Sequence, residues 1–65
     1  IIVGKKEYIE KVKGCEIKIT IYKIEGERIP GCVAKFTYNN IDYLLSGTMK
    51  QQDFEKLLKN LIFPK

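Results

Sequence analysis

Sixty-five residues make one small domain and no more, a size at which apolar burial barely outweighs the cost of ordering the chain. Twelve Lys and Arg against eight Asp and Glu leave +4 at pH 7, spread along the chain rather than gathered in a run, as on a solvated surface rather than a nucleic-acid or membrane footprint. The 45% hydrophobic content excludes disorder, and the lack of histidine excludes His-based triads and His metal ligands.

No apolar run approaches the ~18–20 residues of a membrane span, and no signal-peptide pattern opens the chain. Ile1-Ile2-Val3 is an apolar opening without methionine or charge. It reads as a short strand at a sheet edge, and residues 1–65 as a single domain that a longer or processed polypeptide could contain.

From Lys5 to Lys13 two readings compete. Tyr8, Ile9 and Val12 lie at i, i+1 and i+4 among charged residues, and Gly14 suits the residue just past a helix, so a short helix over about 5–13 is favoured over a strand. The next element is clearer. Ile17, Ile19 and Ile21 alternate with Lys18, Thr20 and Tyr22, a period of two that predicts a strand over about 16–24. Glu25-Gly26-Glu27-Arg28 is a polar connection, and Pro30 is tolerated at the start of the strand it precedes.

Strands over about 31–38 and 41–47 flank Asn39-Asn40, residues that accept the positive φ of a type I′ turn. That turn sets Tyr38 against Ile41, Phe36 against Tyr43 and Ala34 against Leu45 on one face. Thr37 with Asp42, Lys35 with Leu44 and Val33 with Ser46 then share the other. After Gly47 the period becomes helical: Phe54, Leu57, Leu58, Leu61 and Ile62 form one stripe. Thr48 and Gln51 make a capping-box pattern, Pro64 a stop, and the helix is placed at about 49–62, on the Phe36/Tyr43 face.

The fold expected is therefore α+β: a three-stranded antiparallel meander with a C-terminal helix on one face and a short N-terminal helix. Its second face, carrying Lys18, Tyr22, Val33, Lys35 and Leu44, is too apolar to be left to solvent and is the candidate interaction face. The partner expected there is another protein chain, a second copy, or the remainder of a longer polypeptide. Cys15 and Cys32 share core-facing parity, which leaves open one disulfide or two small buried hydrophobes.

Little else carries chemistry. Two cysteines without a CxxC cannot close a zinc site, the eight carboxylates show no paired spacing, and no cofactor motif occurs. Ser46-Gly47-Thr48 before Lys50 superficially resembles a helix N-terminal anion site, but the Gly-rich phosphate loop is missing and capping is the preferred reading. Tyr22 between Lys18 and Lys35 would suit a stacking platform for single-stranded nucleic acid, but with one aromatic and no RNP motif this is the alternative, not the first reading.

Phe36, Asn39-Asn40, Tyr43, Ser46-Gly47 and the Phe54/Leu57/Leu58/Leu61 stripe together resemble the ending of a family of extracytoplasmic bacterial domains of unknown function, found on anti-sigma-type and lipoprotein-like proteins of Gram-positive bacteria. The resemblance spans Val33 to Ile62. Phe36 stands where that family more often has Trp, and the family's preceding strands have no counterpart in this reading. The resemblance implies a non-catalytic sensing or interaction module outside the cytoplasm, without active-site residues; apart from it, a cytoplasmic placement is expected.

Overall fold

The computed structural model describes residues 1–61. Four strands precede one helix: β1 (Ile2–Val12), β2 (Cys15–Ile24), β3 (Gly31–Tyr38), β4 (Ile41–Thr48) and α1 (Gln51–Lys59). The strands pair antiparallel in chain order, β1-β2-β3-β4, and the helix closes one face. The sheet thus has four strands where three were expected.

The fourth strand is the segment expected to be the N-terminal helix. Lys6 pairs with Ile21, Tyr8 with Ile19, Glu10 with Ile17 and Val12 with Cys15, so residues 5–13 are an edge strand and its turn. Gly14 does adopt a left-handed conformation, at φ 81°, but beside Lys13 at φ 52°. Two consecutive positive φ values make a type I′ hairpin, not a helix stop, which is why the glycine alone misled. Ile2 pairs with Ile24 across a bulge, consistent with the edge strand expected of the first residues.

The second hairpin follows its expected register. Asn39 and Asn40 have φ of 52° and 63°, and Tyr38–Ile41, Phe36–Tyr43 and Ala34–Leu45 face one another. The Phe36 and Tyr43 rings stack with centroids 5.1 Å apart. Period-two parity then assembles the core: Val12, Ile17, Ile19, Ile21, Cys32, Ala34 and Phe36 are buried on one face, beneath Phe54 and Leu58 of α1. Each large aliphatic or aromatic side chain so buried contributes roughly 1.5–3 kcal/mol.

The helix is shorter than expected and starts later. Thr48 belongs to β4, the N-cap is Lys50 without a side-chain cap bond, and Gln51 does not close a capping box. Its Nε2 instead donates to Tyr8 Oη at 3.1 Å, tying the first turn of α1 to the far edge of the sheet. At the other end the Lys13 amine donates to the Leu61 carbonyl. Leu57, counted in the apolar stripe, is 45% exposed, while Ile62 and Pro64 lie outside the described residues. Among the described residues no helix is long and apolar enough to cross a membrane.

Candidate sheet-face interface

The helix covers one face only. On the other, the strand register builds three cross-strand rows: Lys5–Tyr22–Gly31–Thr48, Glu7–Thr20–Val33–Ser46 and Ile9–Lys18–Lys35–Leu44. Lys18, Tyr22, Val33, Lys35 and Leu44, the residues singled out from sequence, all stand on this face and in adjacent rows. The N-terminal segment, the one element available to cover it, instead widens it.

That widening supplies residues missed when β1 was read as a helix. Lys5, Glu7, Ile9 and Lys11 extend the face by one strand, and Ile9 is 66% exposed. Leu44 is 64% exposed at the opposite edge of the same row. With strands ~4.8 Å apart, the two aliphatic side chains stand about 14 Å apart with Lys18 and Lys35 between them. The Lys13-Gly14 pair between two β-capable runs was the signal that could have revealed them.

The electrostatics are mixed in sign. Glu7 meets Lys18 at 3.2 Å and Lys5 at 3.3 Å, and Thr37 Oγ1 donates to Asp42 Oδ1 at 2.7 Å. The Lys18 and Lys5 ammonium groups hold the Glu7 carboxyl below its ordinary range. A depressed folded-state value means that any stabilisation is present above the unfolded value and fades as pH falls through the folded one. Being fully exposed, the contribution is small. Lys18→Ala should move the Glu7 titration midpoint upward toward that of an isolated glutamate, read by carboxyl NMR chemical shift; an unmoved midpoint would remove the ion pair from the description.

Around Lys18, Lys35, Thr37 and Asp42 the surface dips into an open groove of about 610 Å³ that reaches Cys15. It is lined by charges of both signs, Glu16 and Asp42 with Lys18 and Lys35. Among the described residues no three His, Cys, Asp or Glu side chains converge as metal ligands.

The cysteines do not pair. Both are free thiols, and Cys32 stands opposite Ile21, six positions along β2 from Cys15. At ~3.3 Å per residue that is about 20 Å, far beyond the ~7 Å reach of a disulfide. Shared parity put both on the core face but at opposite ends of it. Cys15 Sγ contacts the Thr37 carbonyl at 3.6 Å and Cys32 Sγ the Met49 carbonyl at 3.4 Å. Burial pushes the Cys32 thiol above its ordinary pKa. An alkylating reagent under native conditions should therefore modify Cys15 well before Cys32, with mass spectrometry of the digest as the readout; equal rates would mean the core opens readily.

The covered face also carries polar groups. Lys6 Nζ sits 5.7 Å above the Tyr8 ring, and burial raises the Tyr8 phenol, keeping it protonated as the acceptor for Gln51. Glu10 Oε2 is buried without a hydrogen-bond partner among the described residues. Of these, the Tyr8 hydroxyl reaches α1, through its bond from Gln51.

Residues 2–61, which take in all four strands and the helix, match the family described as a domain of unknown function (DUF4367). The chain belongs to that family. The match is not confined to the last half, as the resemblance at Val33–Ile62 suggested: β1 and β2 are as much part of the DUF4367 domain as the second hairpin and α1. Neither the curated proteins nor the solved structures supply a match.

Proposed function

We propose that this domain is a non-catalytic interaction or sensor module that receives another polypeptide on the uncovered face of its sheet. The observation that carries this reading is the row Ile9–Lys18–Lys35–Leu44, whose two aliphatic ends lie bare on a face that every strand helps to build. Keeping such side chains in water costs roughly 1.5–3 kcal/mol each relative to burial, and a partner recovers that energy. The interleaved Lys5, Lys18 and Lys35 with Glu7, Glu16 and Asp42 give the rim charges of both signs, suited to fixing the orientation of a polypeptide. The resemblance to extracytoplasmic domains supports placement outside the cytoplasm, which an export-dependent reporter fusion to the full-length protein would check: a reporter active only in the cytoplasm would refute it.

Single-stranded nucleic acid is the competing occupant of the same face. Acidic side chains stand among the lysines, and Lys18 is already engaged by Glu7, which leaves no continuous basic track for phosphates. A photoreactive residue placed at Ile9 or Leu44 of the intact protein in its own cells should trap a discrete polypeptide, while one at Lys59 on α1 should not. Equal trapping at all three positions, or none, would contradict this function. Oligonucleotide binding that falls steeply with salt and is lost in Tyr22→Ala would put nucleic acid in its place.

A further inference from the structure

The two outer strands differ in how their free edges are defended. In a two-residue hairpin the residues flanking the turn exchange both backbone hydrogen bonds, and such pairs recur at every second position. Val12–Cys15 and Tyr38–Ile41 flank the two turns. Lys5, Glu7, Ile9 and Lys11 of β1, and Asp42, Leu44 and Ser46 of β4, therefore direct their backbone N–H and C=O groups away from the sheet. Among the described residues no strand pairs with either edge. On β1 three of the four outward residues are charged, and a bulge interrupts the strand between Ile2 and Gly4, the usual defences of an edge. On β4 only Asp42 is charged, and the centre of the edge is the exposed Leu44.

We infer that a second copy of this chain adds to β4, antiparallel, in the register that places Leu44 against Leu44 of that copy. An isologous contact must be complementary to itself, and this register meets that condition by pairing the exposed leucine with itself while keeping the two Asp42 carboxylates apart. It sets Asp42 opposite Ser46, a carboxylate facing a hydroxyl, on both sides of the two-fold axis. On the helix-covered side it sets Tyr43 opposite Leu45, both half-buried, and Ile41, 55% exposed, opposite Gly47, which has no side chain of its own and lies beside the Met49 Cε. Moving the axis to Tyr43 sets Asp42 against Leu44. At Asp42 it opposes two carboxylates, and at Leu45 it sets Leu44 against Ser46. The chosen register joins two four-stranded sheets into one of eight and continues the apolar layer across the joint.

This dimer uses the edge of β4 and stands independently of any polypeptide received on the sheet face. Sedimentation equilibrium over a concentration series tests it with five samples: wild type, Leu44→Lys, Leu44→Glu, an equimolar mixture of those two variants, and Ile9→Lys. Wild type should associate to dimer, each variant alone should associate at least about tenfold more weakly because like charges meet at the axis, and the mixture should recover association. Ile9→Lys, on the distant edge, should leave the dimer intact. Leu44 is exposed, so the variants should fold, as far-UV circular dichroism can verify. A wild type that stays monomeric, association indifferent to Leu44→Lys, a mixture as weak as its components, or loss in Ile9→Lys would each overturn the proposal.

Discussion

Phe54→Ala should destabilise the domain by about 3–5 kcal/mol and leave much of it unfolded at room temperature. Phe54 is 1% exposed and, with Leu58, is one of the two buried residues of the helix. Removing its ring opens a cavity between α1 and the Ile17/Ile19/Phe36 layer that a nine-residue helix cannot refill by settling. The Tyr8–Gln51 bond cannot hold the helix alone, because a single neutral hydrogen bond contributes only ~0.5–1.5 kcal/mol. Leu57→Ala, one turn on, should cost under about 1 kcal/mol, since that side chain is 45% exposed. Denaturant unfolding followed by circular dichroism measures both. Equal costs at the two positions would mean that the helix faces the sheet differently.

A second pair of substitutions separates the faces of the first hairpin. Ile19→Ala should cost about 2–5 kcal/mol, because Ile19 is 0% exposed at the centre of the core, between Tyr8 on β1 and Ala34 on β3. Ile9→Ala should change stability by about 0.5 kcal/mol or less, though Ile9 lies one position from the residue that pairs with Ile19. The contrast follows from the strand's period of two. On the helix once expected over residues 5–13, Tyr8, Ile9 and Val12 would share one stripe, and Ile9 would be as costly to truncate as Val12. Thermal or denaturant midpoints of the purified variants decide it, and a loss at Ile9 rivalling that at Ile19 would restore the helix.

The halves of the chain differ in how plainly they declare themselves. Asn39-Asn40 is a local signal with one geometric meaning, and the alternating pattern around it confirms the register, so Phe36, Tyr43 and the whole second hairpin could be read directly. Ile17, Ile19 and Ile21 declared β2 for the same reason. β1 could not be read that way. It is an edge strand whose bare face carries Lys5, Glu7, Ile9 and Lys11 and whose covered face includes Lys6 and Glu10, so neither face is consistently apolar and the period of two is lost. Its turn glycine was equally compatible with a helix end.

Helix capping failed differently: Thr48 and Gln51 have the right types at the right spacing, but β4 holds Thr48 in the sheet and Tyr8 takes Gln51. That contact lies between residues far apart in sequence, where local patterns carry no information. The same long-range pairing explains the interface. Val33, Lys35 and Leu44 followed from one hairpin, Lys18 and Tyr22 from the parity of β2, and Ile9 needed the unseen fourth strand.

A sheet closed on one side and bare on the other is the claim on which the proposed role depends, and methyl NMR with a soluble paramagnetic probe examines it most directly. On a dilute sample, the methyl signals of Ile9 and Leu44 should be strongly broadened, while those of Ile17, Ile19 and Leu58 remain sharp. Sharp signals from Ile9 and Leu44, or broadening at Ile19, would show that the helix lies elsewhere and that the face assigned to a partner is already occupied by the chain itself.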